Sequence, residues 1–111
     1  ACPGGALDGQ GRLDVSRCLS HLTQKKRLSA EEEDAVRRGR LVWGCDVCAD
    51  VCPYNRQAAY SPVSAFYRNI LAVLTNNNLE SAGRAWNWRG PEVLQRNLRL
   101  CGEHGDQMKC Q

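Results

Sequence analysis

Apolar residues in this chain recur at helical spacing more often than in alternation. Val15, Cys18, Leu19 and Leu22 fall three and four apart, which predicts a helix over residues 15–24 with Asp14 as its cap and Cys18 facing inward. Before it, Ala6-Leu7 and Arg12-Leu13 flank a loop rich in Gly and Asp, so residues 4–14 are expected to form a small β-hairpin. Ser29 followed three residues later by Glu32 reads as a capping box. The acids Glu31, Glu32, Glu33 and Asp34 complement the start of that second helix, Arg37 and Arg38 its last turn, and Gly39 its stop.

Beyond a cysteine-bearing segment over residues 44–56, Ser61-Pro62 opens an expected third helix. Its buried stripe would be Val63, Phe66, Tyr67, Ile70 and Leu74. Residues 75–78 break it, and a short helix over 79–86 is expected to follow. The last helix runs from Gly90-Pro91 to Gly102, with Leu94, Leu98 and Cys101 inward. The expected fold is mainly α with one small β-hairpin. Three parts follow from this: a cysteine-rich segment over 1–56, a helical extension over 57–102 and a flexible tail over 103–111.

Charge adds little. The formal net charge of +3 is nearly evenly spread, with nine basic and eight acidic residues in 1–56 and six and four in 57–111. Net charge alone therefore argues neither for nor against nucleic acid. No apolar run has membrane-spanning length, and no membrane contact is expected. The chain opens on Ala1-Cys2-Pro3 and its single methionine is Met108, so it reads as a piece of something longer.

The cysteines change the picture. There are seven in 111 residues, and Cys45, Cys48 and Cys52 sit within eight positions. Disulfides in a secreted domain and a structural zinc site are the plain readings. The odd count, the absence of a secretory signal and the tight cluster favour a metal in a reducing, cytoplasmic setting. Cys45-x2-Cys48-x3-Cys52-Pro53 matches part of the run that holds two [4Fe–4S] clusters, in which the last cysteine before proline serves the other cluster. The run is incomplete, since position 42 is Val42. Cys18 is the natural substitute, and Cys2-Pro3 reads as the end of an earlier run. By that exchange rule Cys2, Cys18, Cys45 and Cys48 hold one complete cluster, and Cys52 is the fourth ligand of a second. Cys101 is assigned to core packing, and Cys110 receives no role. A zinc module would need two close ligand pairs, which Cys2 and Cys18 do not supply, so iron and sulfide are the favoured occupants.

The stretches RLDVSRCLSHLTQKK, LSAEEE and WGCDVCADVCPYNR resemble the double-cluster domain of the epoxyqueuosine reductase family, and WRGPEVLQRNLRL is similar to its shorter members near their ends. The resemblance implies a ferredoxin-like double-cluster segment followed by helices, and an electron relay through Cys2, Cys18, Cys45, Cys48 and Cys52. It implies an oxidoreductase that reduces the epoxide of epoxyqueuosine in tRNA with cobalamin as its reactive cofactor. The implied partners are the remaining, N-terminal part of the same enzyme, tRNA and an external electron donor. Ser20 and Asp46 are the implied places for cobalamin contact, and Lys25 and Lys26 for the tRNA backbone. One departure is His21, where the family more often shows Tyr. The cobalamin-binding half and the catalytic acid are expected upstream of residue 1, so this segment alone is not expected to catalyse.

Plainer roles compete at several positions. Lys25-Lys26-Arg27 lead into an acidic helix and also suit a solvated helix end, Asp46 a local cap, and Trp43, Trp86 and Trp88 core or interface packing. A stand-alone ferredoxin-type carrier, the iron–sulfur domain of another cobalamin-dependent reductase and a zinc-stapled binding module are the competing functional classes. Nearly sixty residues after Pro53 weigh against the carrier.

Overall fold

A computed structural model describes residues 1–68, 70–71, 74–75, 77–79 and 83–102. The expected tail over 103–111, with Cys110, lies outside the described residues, as does part of the helix expected over 79–86. Among the described residues four α-helices carry the fold: α1 (Leu19–Gln24), α2 (Ala30–Gly39), α3 (Val47–Asp50) and α4 (Pro91–Gly102). Short 3₁₀ turns occupy Val15–Arg17, Pro53–Asn55, Ser64–Tyr67 and Asn87–Arg89.

The expected β-hairpin is not there. Among the described residues there is no strand or sheet, only one antiparallel bridge between Leu7 and Leu13, so neither the hairpin nor the ferredoxin-like fold holds. The reason is local. The Asp8 carboxylate accepts from the N–H of Gln10 at 2.7 Å and of Arg12 at 3.1 Å, which curls the segment into a side-chain-closed turn. Gly9 and Gly11 take positive φ, and Leu7 and Leu13 are about half exposed, so no sheet could bury them.

The helix expected over 15–24 is broken as well. Asp14 caps as anticipated, accepting from Ser16 N–H at 3.0 Å, but the chain makes only a 3₁₀ turn before Cys18 becomes extended. α1 starts afresh with Cys18 as its N-cap residue, whose carbonyl accepts from Leu22 N–H at 2.9 Å. Val15, expected inward, is exposed.

α2 is the element most completely specified by local sequence. Ser29 Oγ accepts from Glu32 N–H at 3.3 Å and Glu32 Oε2 accepts from Ser29 N–H at 2.9 Å, so both halves of the capping box are made. Glu32 also receives Lys25 Nζ at 2.6 Å. Gly39 is the last residue of α2, as expected, with Arg40 as the C-cap residue in the left-handed conformation. The glycine also serves packing, because a Cβ there would lie 2.6 Å from Leu19 Cδ1. Replacing Ser29 with Ala is expected to lower stability by about 1 kcal/mol, measured by denaturant titration. Hydrogen bonding from the Lys25 ammonium, then from Ser29 N–H, holds the Glu32 carboxyl below its ordinary value. Its stabilising contribution is therefore complete above the ordinary glutamate range and disappears as pH falls through the depressed value. A Glu32→Gln variant should lose that part of the acid-side slope in a pH series of unfolding curves.

The core joins α1, α2 and α4. Leu19 and Leu22, Val36, Val42, Leu74, Trp86, and Leu94, Leu100 and Cys101 form one buried cluster. Trp43 meets Trp86 edge to face, with centroids 6.4 Å apart. In α4 the inward face is Val93, Leu94, Asn97, Leu100 and Cys101, with Leu98 only half-buried. The stripe expected from residue 63 onward is also corrected: Val63, Phe66, Tyr67 and Ile70 are exposed and only Leu74 is buried. No described helix is long and apolar enough to cross a membrane.

Candidate metal centre

The candidate thiols stand on three stretches of chain. Cys2 stands in the N-terminal loop, Cys18 at the start of α1, and Cys45 and Cys48 on either side of the start of α3. Cys48, Cys18 and Cys2 each have an electrostatic influence on the Cys45 thiol. Burial is the largest influence pushing the Cys45 thiol up, opposed by Val47 N–H and reinforced by those three neighbours. A thiol whose ionisation is opposed by burial and by neighbouring thiols, as that of Cys45 is, would be relieved by a cationic core.

Cys2 has the opposite surroundings. Ala6 N–H donates to its Sγ at 3.3 Å and, together with the N–H groups of Gly4, Leu7 and Gly5, draws the thiol below its usual value against burial. The loop closes through Gly5 N–H to Cys2 C=O at 3.0 Å, with Gly5 at φ +61°. Gly4 sets the approach to the next ligand segment: a Cβ there would lie 2.1 Å from the Arg17 carbonyl oxygen. Backbone amides aimed at a thiolate are the contacts that tune an iron–sulfur centre.

A second layer holds the Cys18 and Cys45 segments in register. Thr23 Oγ1 accepts from Gly44 N–H at 3.0 Å and donates to the Ser20 carbonyl at 3.1 Å. Gly44 takes φ +71°, a turn suited to glycine, directly before Cys45. Asn97 on α4 is fully buried and donates from Nδ2 to the carbonyls of Thr23 at 2.7 Å and Val42 at 2.8 Å. Thr23 and Asn97 were missed from sequence, although a polar residue at an apolar register position in a helix is a readable signal.

The remaining candidates are placed as follows. Cys52 opens the 3₁₀ turn after α3, half-buried beside exposed Val51 and Tyr54. Cys101 is buried in the core. Ser20 is half-buried on α1, within reach of Gln24 Nε2 at 3.5 Å. Asp46 is exposed at the N-cap of α3; its carbonyl, not its carboxylate, caps the turn, accepting from Ala49 and Asp50 N–H. Lys25 is paired with Glu32, while Lys26 is exposed and lines a cleft of about 590 Å³ with Arg27, Arg89, Glu92, Arg96 and Arg99. Among the described residues no three His, Cys, Asp or Glu side chains close on a single metal ion. A cubane holds its thiolates at separate corners of a cube, so its ligands stand further apart than those around one ion. The donor set is thus all thiol, drawn from three segments and supplied with N–H groups, and it fits such a cluster.

Comparison with known proteins converges on the same chemistry. The family described as "4Fe-4S double cluster binding domain" matches residues 1–55. An epoxyqueuosine reductase of Lactococcus garvieae is 35% identical over 109 residues, covering 87% of this chain and 30% of that protein. Its counterpart in Bacillus subtilis is 34% identical over 115 residues, 94% of this chain and 30% of that one. One from Burkholderia pseudomallei is 42% identical over 66 residues, 60% and 16% respectively. The chain spans about 30% of the length of the first two. No solved structure matches.

Proposed function

We infer the role of this chain from one premise: it belongs to the epoxyqueuosine reductase family, with residues 1–55 as its 4Fe-4S double cluster binding domain. The proposal is that it relays electrons within a larger cobalamin-dependent reductase acting on epoxyqueuosine in tRNA. Cys2, Cys18, Cys45 and Cys48 would hold one [4Fe–4S] cluster, and Cys52 would serve a second. When bound, such a cluster accepts and gives up one electron at a time. The observation that supports the reading best is the match of residues 1–55 to that domain, which spans Cys2, Cys18, Cys45, Cys48 and Cys52.

What this chain's own residues contribute is holding and tuning. The N–H groups of Gly4, Gly5, Ala6 and Leu7 stabilise negative charge on the Cys2 sulfur, and half-burial of Cys45 keeps bulk water from part of the site. Ser20 and Asp46, sequence neighbours of the thiols, are the proposed contacts to cobalamin; the exposed Asp46 carboxylate makes no capping bond. Lys26 is the better placed of the two lysines for the tRNA backbone, since Lys25 is committed to Glu32. Free thiols at Cys2, Cys18, Cys45, Cys48 and Cys52 agree with a reducing cytoplasm, where an external donor would reload the relay.

A stand-alone carrier is less well supported. Similarity to the Lactococcus garvieae and Bacillus subtilis reductases covers 87% and 94% of this chain, which reaches well beyond residue 55 into the helical extension. The test is anaerobic reconstitution followed by reductive titration. Reversible one-electron reduction of the bound cluster is expected. A metal that binds but cannot be reduced and reoxidised would leave only a structural staple.

A further inference from the structure

α4 begins 39 residues beyond Cys52, yet its buried amide reaches back to the segments of Cys18 and Cys45. Asn97 Nδ2 ties the carbonyl of Thr23, on the helix that Cys18 begins, to that of Val42, three residues before Cys45. Its Oδ1 is fixed in turn by Arg96 Nε at 3.0 Å and Nη2 at 2.9 Å. Arg96 Nη1 continues to the carbonyls of Lys25 at 2.8 Å and Lys26 at 3.0 Å, so the amide cannot rotate without breaking the set. From the same residue, Thr23 Oγ1 receives the N–H of Gly44, next to Cys45. Thr23 and Asn97 are both fully buried, where water cannot replace a lost partner.

We propose that Asn97 and Thr23 are positioning residues of the iron–sulfur site, which fix the Cys45 turn against the Cys18 helix and so set the reduction potential of the cluster. This rests on the relay reading above. It also gives Val42 a reason. Where a complete cysteine run would carry a ligand, this chain has a buried aliphatic residue whose carbonyl is clamped by α4. The Cys45 turn would thus depend on the extension as well as on its own ligands.

The test uses the whole chain, reconstituted without oxygen, as wild type and as Asn97→Ala, Thr23→Val and Thr23→Ser variants. Iron and acid-labile sulfide are measured, then the midpoint potential and the electron paramagnetic resonance signal of the reduced cluster. Asn97→Ala is expected to lose the larger part of its iron. Thr23→Val keeps size and burial but removes the acceptor for Gly44 N–H; it is expected to retain its cluster with a displaced potential and an altered signal. Thr23→Ser restores the oxygen and should return both to wild-type values. A Thr23→Val cluster indistinguishable from wild type, or a Thr23→Ser variant displaced as far as Thr23→Val, overturns the proposal. A wild-type chain that takes up no cluster overturns the relay reading, and the proposal with it.

Discussion

Cys18→Ser, reconstituted without oxygen, should come out of the column with little iron and with reduced helical signal in circular dichroism. Serine keeps the backbone of the α1 N-cap but removes the thiolate, so the cluster loses one of its four holds. The fold loses with it the tie between the loop of Cys2, the start of α1 and the turn before α3. In so small a chain that tie is also a folding constraint, because metal-site binding energy becomes folding energy. Cys2→Ser, Cys45→Ser and Cys48→Ser should behave alike. Cys52→Ser should leave the iron held by those four in place, since its assigned cluster is the other one. Cys101→Ser, buried in the core, should cost stability by about 1–3 kcal/mol through its buried hydroxyl while leaving iron uptake intact. Iron retained by Cys18→Ser would remove Cys18 from the ligand set.

The second large effect concerns a residue with no side chain. A Cβ at Gly4 would lie 2.1 Å from the Arg17 carbonyl oxygen and 3.3 Å from its carbon. These are backbone atoms immediately before Cys18, so no rotamer change can relieve the overlap. Gly4→Ala must therefore lift the Cys2 loop from the Cys18 segment, at a cost of about 1–3 kcal/mol. The expected outcome is a chain that keeps its α2–α4 core but loses iron on gel filtration. Gly102→Ala, with nothing within 4 Å, serves as the control and should hold its iron. Full iron retention by Gly4→Ala would show that close contact between these segments is not required.

What could be read from sequence was what local chemistry decides. The capping box of α2 and the Gly90-Pro91 start of α4 are short-range signals, and both appear where expected. The cysteine spacing singled out Cys2, Cys18, Cys45, Cys48 and Cys52, and the domain match over residues 1–55 spans all five. The failures have several causes, some local and some between partners distant in the chain. Leu7 and Leu13 alternate as a hairpin would, but among the described residues no sheet receives them, and the Asp8 carboxylate closes the turn instead. Helical periodicity ran through Cys18 because the pattern of Val15, Leu19 and Leu22 cannot register a break in the backbone. Gly39 ends α2 as expected, but the second use of its missing Cβ, room for Leu19 across the α1–α2 contact, was not legible. The stripe from Val63 to Ile70 has helical spacing but is left exposed among the described residues. Asn97 matters because of carbonyls 55 and 74 positions earlier, which no window along the sequence brings together.

The central claim is that thiols from three separate segments hold one iron–sulfur cube. Its most direct test is iron and acid-labile sulfide analysis of the whole chain prepared without oxygen. The account predicts a brown protein with iron and sulfide in equal amounts, both lost on Cys18→Ser substitution. A colourless protein free of sulfide, or one that carries zinc alone under the same conditions, would contradict it.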